Sequence, residues 1–309
     1  MFDTHCHLNF QRFAGRVDDV VRHAKEAGIN FMVVPGTDEE SSVKAVAIAG
    51  EYEGVYVAVG IHPHHVFQIN RKDQKIRNQK PDKPENPDKS DLSDSSDFIR
   101  YPASDISISS GLSGIEKLLK HQKVVAIGEV GIDRHIYRET KYADYRVEEA
   151  FIESQKKYLK AQIDLAIKYS KSLILHNREA KKDMLEVIGL PAVAEAVAGK
   201  AVFHCCEPDE ELLDFAKAHR IYIGVDGDVT YNREKQEFVK KIPLELLVLE
   251  TDSPFLLPEP LRSQKLFPNE PKNLPLVAEF IAVLKNTSTK QLIEAATENA
   301  FRLFQLKKD

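Results

Sequence analysis

Apolar residues along this chain come in short unbroken runs, separated by longer stretches that repeat an apolar position every three or four residues. The runs lie at residues 1–3, 31–35, 55–60, 124–128, 172–175, 201–203, 221–225 and 246–249. They do not alternate with polar residues, so they predict strands buried on both faces, as in a parallel sheet. Residues 16–27, 39–51, 148–169, 209–219 and 274–284 carry the spacing of amphipathic helices. Thr37-x-x-Glu40 and Ser113-x-x-Glu116 read as capping boxes at two helix starts. Eight such strand units joined by helices argue for a closed (β/α)8 TIM barrel rather than an open sheet. A chain of 309 residues holds one such barrel as a single domain over 1–309, with room for an insertion. No fixed-period repeat is present beyond the alternation of strands and helices.

The insertion is predicted at residues 68–112, between the third and fourth strands. Residues 70–97 are rich in Lys, Asp, Asn, Pro and Ser and nearly free of apolar side chains. Burial there cannot offset ordering entropy, so a solvated, mobile loop is expected. Apolar residues at 98–101 and 106–108 are expected to tether its far end. Leaving from the C-terminal face of the barrel, the loop is placed to reach the mouth and influence substrate choice.

Hydrophobic residues make up 42% of the chain and charged residues 29%, with a net charge of −5, the balance of an ordinary globular protein. There is no long apolar span and no cationic leader, and the first strand begins at residue 1, so a cytoplasmic protein with no membrane partner is expected. Three cysteines, Cys6, Cys205 and Cys206, are too few for a disulfide framework and suggest a reducing compartment. Strand alternation is expected to turn Cys6 and Cys205 away from their histidine neighbours. No phosphate-loop, dinucleotide-fingerprint or nucleophile-elbow motif occurs, which argues against a nucleotide cofactor and against a serine esterase.

Candidate chemistry begins in the first strand. His5 and His7 stand at i and i+2 of an extended segment, so their imidazoles point the same way and can converge on a divalent ion. The pair alone fits two hydrogen-bonded, partly buried histidines equally well. Further donors follow later runs: Glu129 after the fourth, His176 after the fifth, His204 after the sixth and Asp252 after the eighth. In a parallel barrel these strand ends form the active-site mouth, where all six are expected to meet.

At this point the sequence resembles the TatD family of metal-dependent deoxyribonucleases, within the amidohydrolase superfamily of barrel hydrolases. The matching stretches are Phe2-Asp-Thr-His-Cys-His-Leu8, Gly60-Ile-His-Pro-His64, Ala126-Ile-Gly-Glu-Val-Gly-Ile-Asp133, Leu175-His-Asn-Arg-Glu179, His204-Cys205, Glu250-Thr-Asp-Ser-Pro254 and Asn269-Glu-Pro271. Gln155, Gln162 and residues 299–304 also match, and the resemblance covers nearly the whole chain outside the insertion.

The resemblance implies two divalent ions, zinc, magnesium or manganese. His5, His7 and Asp252 would hold one, His176 and His204 the other, and Glu129 would bridge them. Paired ions can polarise a phosphoryl oxygen and lower the pKa of water. Asp252 is the expected general base, since a carboxylate beside a dication stays ionised at neutral pH. The resemblance also suggests that His62 contacts a substrate phosphate, with His64 either joining it or fixing its own loop. Arg134 and Arg178 follow barrel strands and could clamp a phosphate in bidentate fashion. Alternatively, Arg178 pairs with Asp133 or Glu179 and steadies His176, and Glu250 is expected in that outer layer.

Some positions depart from the family pattern: Glu179 for Asp, Cys206-Glu207-Pro208 after His-Cys, Asp226 and Asp228 after the seventh strand, and Pro268 before Asn269. Extra carboxylates near the mouth would repel a phosphate backbone unless metals or lysines offset them. The activity implied is a 3′-5′ exodeoxyribonuclease with single-stranded DNA as partner. A net charge of −5 and no basic stripe argue against duplex binding by counterion release. Alternatives are a metal-dependent esterase or deacylase, such as a D-aminoacyl-tRNA deacylase, another amidohydrolase-type hydrolase, or a scaffold without turnover. Glu129 stands where many amide hydrolases of the superfamily carry a carboxylated lysine, and the full set of six donors argues against a scaffold.

Overall fold

In the structure, a computed structural model describing residues 1–67, 69, 108, 111–138, 140, 142 and 145–307, eight strands pair in parallel and in chain order. The strands are β1 Phe2–Asp3, β2 Phe31–Pro35, β3 Val55–Val59, β4 Val124–Asp133, β5 Ser172–Arg178, β6 Ala201–Phe203, β7 Tyr222–Val225 and β8 Leu247–Leu249. The helices between and after them include α1 Val17–Glu26, α2 Glu39–Glu51, α3 Ser113–Leu118, α4 Glu149–Lys168, α5 Lys181–Ile188, α6 Pro191–Val197, α7 Glu210–His219, α8 Arg233–Lys241, α9 Leu274–Leu284 and α10 Thr289–Leu303. The end of β8 returns to β1: Thr4 N donates to Leu249 O at 3.0 Å, Asp252 N to His5 O at 2.9 Å and His7 N to Ser253 O at 2.7 Å. These bonds close the barrel and bring the first and last metal-type donors side by side.

Two strands run longer than their apolar runs predict. β4 continues through Glu129 to Asp133, and β5 continues through His176 to Arg178. Ile127 pairs with Leu173 but Val130 with Leu175, so β4 carries one extra residue, a β-bulge, at Gly128 and Glu129. A Cβ on Gly128 would lie 2.6 Å from Ile174 Cβ, so only glycine lets the two strands approach this closely.

Apolar side chains pack in two layers. One lies between strands and helices and takes in Cys6, fully buried with Sγ 3.7 Å from Val33 O, as alternation predicts. The other joins the inward residues Phe2, Val33, Ala58, Ala126, Ile174, Val202 and Val248 to Ala300, Phe301, Leu303 and Phe304 at the end of the chain. Phe2 meets Phe301 edge to face at 5.5 Å and stacks on Phe304 at 5.7 Å, while Asn299 Nδ2 donates to Leu244 O and Leu247 O, each at 2.8 Å. The matching segment 299–304 therefore closes the barrel floor, each buried ring contributing roughly 1.5–3 kcal/mol.

The capping expectations need correction. α2 does begin with a box, but Asp38 is the cap and Ser41 its partner, because Asp38 accepts from Ser41 N at 2.8 Å. Ser113 is already the first residue of α3, with Leu112 at the cap position, so the box predicted there does not form. The predicted insertion, including 70–97 and the tether at 98–101, lies outside the described residues apart from Ile69, Ile108, Gly111 and Leu112, of which Ile108 and Leu112 are buried. Among the described residues no helix is long and apolar enough to cross a membrane.

Candidate metal centre

The six donor residues read from the strand ends lie together at the C-terminal mouth. His5 Nε2 and His7 Nε2 are 3.1 Å apart. Glu129 Oε2 lies 3.5 Å from the first and 3.7 Å from the second, and Asp252 Oδ1 lies 3.7 Å and 3.3 Å from them. Donors about 2.1 Å from one tetrahedral ion stand about 3.4 Å apart, so these separations fit a divalent cation without rearrangement. Two imidazoles and two carboxylates also form a donor set that zinc or manganese accepts.

A second group faces the other carboxylate oxygen of Glu129. Its Oε1 lies 2.6 Å from His176 Nδ1 and 2.9 Å from His204 Nε2, with those two nitrogens 3.2 Å apart. The β-bulge turns Glu129 inward between the groups, so one carboxylate addresses both. Burial works against its charge, but the surrounding histidines, led by His204 and His62, outweigh it and hold its pKa well below the ordinary value. Burial, followed by His204, lowers the pKa of His5 as well, to about 4, which favours its neutral ring.

His62 belongs to this second group in space. Its Nε2 lies 3.3 Å from Glu129 Oε1, and its Nδ1 accepts from His64 N at 3.1 Å, which leaves Nε2 as the protonated nitrogen of the neutral ring. Burial lowers its pKa and favours that neutral ring. His64 lies farther out, its Nε2 2.7 Å from Thr140 Oγ1 and its ring stacked on Tyr145 at 4.5 Å. Both histidines line a cavity of about 960 Å³ over the centre.

The two arginines separate. Arg178 lines the cavity, its guanidinium 5.2 Å over the Tyr137 ring and Nη1 donating to Tyr137 Oη at 3.2 Å, rather than pairing with Asp133 or Glu179. Arg134 does not line it. Its Nε donates to Asp183 at 2.6 Å and Nη1 to Glu149 at 2.8 Å, which ties β4 to α4 and α5, so the expectation of a phosphate clamp at Arg134 is corrected.

Behind the donors stands a second layer that sequence reading covered only in part. Asp133 Oδ2 lies 3.2 Å from His176 Nε2 and accepts from Tyr137 Oη at 2.7 Å. Gln155 takes Asp133 N at 2.8 Å and gives to Asp133 O at 3.1 Å, and Gln162 does the same for Ile61 at 2.7 and 3.2 Å. Gln162 thus fixes the backbone beside His62, and Gln155 fixes that of Asp133, whose carboxylate reaches His176. Asp3 accepts from Thr251 Oγ1 at 2.7 Å and from His5 N at 3.2 Å, and burial nevertheless raises its pKa to about 7. Glu250 lies 3.8 Å from His204 Nδ1, fully buried, and burial followed by the charge of Asp226 raises it well above the usual carboxyl range.

Asp226 and Asp228 do not stand as bare negative charge. Lys235 Nζ sits 2.9 Å from Asp226 Oδ2 and 2.8 Å from Asp228 Oδ1, with its side chain only 2% exposed. Lys235 arises from α8, where the polar run gives no sign that one lysine turns inward. Cys205 also differs from expectation. Its backbone is left-handed, with φ of 43°, which breaks the alternation and sets the residue on the cavity wall, its Sγ 4.0 Å from Lys235 Nζ.

Known proteins place this arrangement. The family described as TatD related DNase matches residues 2–305. An uncharacterized metal-dependent hydrolase of Bacillus subtilis, YabD, is 31% identical over 308 residues, covering 99% of each chain. The 3′-5′ ssDNA/RNA exonuclease TatD of Yersinia pseudotuberculosis is 29% identical over 312 residues, covering 99% of this chain and all of its own. The crystal structure of YJJV, a TatD homologue from Escherichia coli, superposes with a TM-score of 0.73 at 23% identity over 99% of this chain and 98% of that one, and so shares the barrel fold. The chain belongs to the TatD related DNase family and is a metal-dependent hydrolase.

Proposed function

We propose that this hydrolase removes nucleotides from the 3′ end of single-stranded DNA by cleaving phosphodiester bonds over a pair of divalent ions. The observation that carries the reading is the division of Glu129: Oε2 faces His5 and His7, and Oε1 faces His176 and His204. A carboxylate shared between two donor groups suits two ions a few ångströms apart. His5, His7 and Asp252 would hold one ion and His176 and His204 the other, with Glu129 available to both groups. Zinc, manganese or magnesium bound there would polarise the phosphoryl oxygen and ease deprotonation of water.

The chain's own groups do the rest. Asp252 accepts the proton of the attacking water at Oδ2, its other oxygen being ranged against the two N-terminal histidines. As the water oxygen bonds to phosphorus, the P–O bond to the 3′ oxygen of the preceding nucleotide breaks, and that oxygen takes up a proton from Asp252 or solvent. His62, protonated at Nε2, donates to a non-bridging phosphate oxygen. Arg178, anchored on Tyr137, supplies a fixed positive charge on the same wall. Lys235 offsets Asp226 and Asp228, which lowers the repulsion those carboxylates would exert on an incoming strand. The relatives named as 3′-5′ ssDNA/RNA exonucleases support the same substrate class.

Three single-stranded substrates test the direction of attack. A 5′-labelled strand should give a ladder, a 3′-labelled strand should release labelled mononucleotide from the first turnover, and a closed circle should stay intact. Cutting of the circle would contradict exonucleolytic action. One feature favours hydrolysis of a carboxylic ester on the same centre instead: Glu207 and Glu234 on the cavity wall suit a substrate with a cationic amine. Aminoacyl-tRNA is the substrate that tests it.

A further inference from the structure

We propose that Phe10 and Phe255 form a stacking corner that receives the base of the terminal nucleotide, an inference that rests on the phosphodiesterase reading above. Phe10 lies face to face on His7, with centroids 4.2 Å apart and planes 24° apart. Phe255 stands edge-on to Phe10 at 6.0 Å and 78°, and to His7 at 6.2 Å and 71°. Both phenylalanines line the cavity above the centre. The result is two aromatic walls at nearly a right angle, one of them backed directly by a metal-type donor.

Phe255 is 49% exposed, although its backbone is firmly held. Its N–H donates to Asp252 O at 2.9 Å, and Asn269 Nδ2 donates to Thr251 O at 3.0 Å. Left-handed residues on either side, Asp252 with φ of 46° and Leu256 with φ of 49°, turn the chain sharply and present the ring outward. An exposed aromatic on a fixed loop loses little entropy when something flat settles on it.

The occupant is argued from the reaction and from charge. An enzyme that removes nucleotides in succession must grip each new terminal base without selecting it, and stacking does so because every base has a π-face. The walls from the β6 and β7 ends bring Glu207 and Glu234 to the cavity, whereas the two rings at the β1 and β8 ends are uncharged and the carboxylate beside them, Asp252, is ranged against His5 and His7.

The test uses single-stranded oligonucleotides with 2-aminopurine or an abasic residue at the 3′ terminus, mixed with the full-length protein. Fluorescence is read on mixing, before turnover, and cleavage is read afterwards. Quenching of 2-aminopurine by the wild type should be lost in Phe255→Ala, with binding weakened roughly tenfold. Phe255→Tyr should restore both. The abasic strand should bind wild type and Phe255→Ala equally, and Phe267→Ala, which alters an exposed ring on the same loop, should behave as wild type. Equal quenching in wild type and Phe255→Ala overturns the corner even if both cleave. Quenching that depends on Phe255 without cleavage supports the corner and overturns the reaction. If the strand neither binds nor is cut, both are overturned.

Discussion

Asp133 Oδ2 lies 3.2 Å from His176 Nε2, so the ring is held from one nitrogen while the other faces Glu129. Burial alone would lower the pKa of His176, but Asp133 and Glu129 outweigh it and raise it to about 10. A cation taken up at Nδ1 therefore displaces a proton. Asp133→Asn keeps an acceptor but removes the charge that orients the ring. The variant should bind the second ion roughly 10- to 100-fold more weakly, with the first retained. Metal titration by calorimetry, compared with wild type, checks this.

Lys235 should be a stability element as much as an electrostatic one. With the ammonium gone, Asp226 and Asp228 would share a buried site without a cation, and breaking such an arrangement costs about 3–5 kcal/mol. Lys235→Met should lower the urea midpoint accordingly. Adding Asp226→Asn and Asp228→Asn to it should recover most of the loss. If the single variant unfolds at the wild-type midpoint, the ion cluster contributes nothing.

A pH prediction follows from Asp183, which accepts from Arg134 at 2.6 Å and from Lys156 at 3.0 Å. The hydrogen bond from Arg134, more than any other factor, lowers its pKa. A carboxyl lower in the folded than in the unfolded state adds stability above the unfolded value of about 3.9, lost as pH falls through the folded value. Asp183→Asn should therefore cost about 2 kcal/mol at pH 7. The gap in Tm between wild type and variant should close as pH is lowered below about 4. A gap that persists at low pH would mean that packing, not charge, is what the substitution removes.

Much of this was legible in the sequence, for reasons particular residues make plain. Apolar runs that end in His, Glu or Asp locate both the strands and the mouth, because a parallel barrel has all its C-terminal strand ends on one face. Thus His5, His7, Glu129, His176, His204 and Asp252 could be grouped before any coordinate. The inward turn of Glu129 could not be seen, because the bulge depends on register against β5, which an isolated run does not encode. Arg134 misled because the carboxylate that claims it, Asp183, lies 49 residues further on. Lys235 and Phe255 were missed for a shared reason: in sequence each looks like an ordinary surface residue, and only the packing of α8 and the loop after β8 shows one buried and the other held rigidly at the mouth. Helices α5, α6, α8 and α10 also passed unmarked, the last despite a capping box between Ser288 and Gln291.

The measurement that bears most directly on the account is cleavage of a 5′-labelled single-stranded DNA by metal-stripped protein resupplied with Mg²⁺, Mn²⁺ or Zn²⁺, with Asp252→Asn alongside. The account predicts a ladder of shortening products that requires a divalent ion and falls by at least about a hundredfold in rate when Asp252 loses its charge. Protein loaded with two ions per chain that leaves the strand intact under every ion would contradict it.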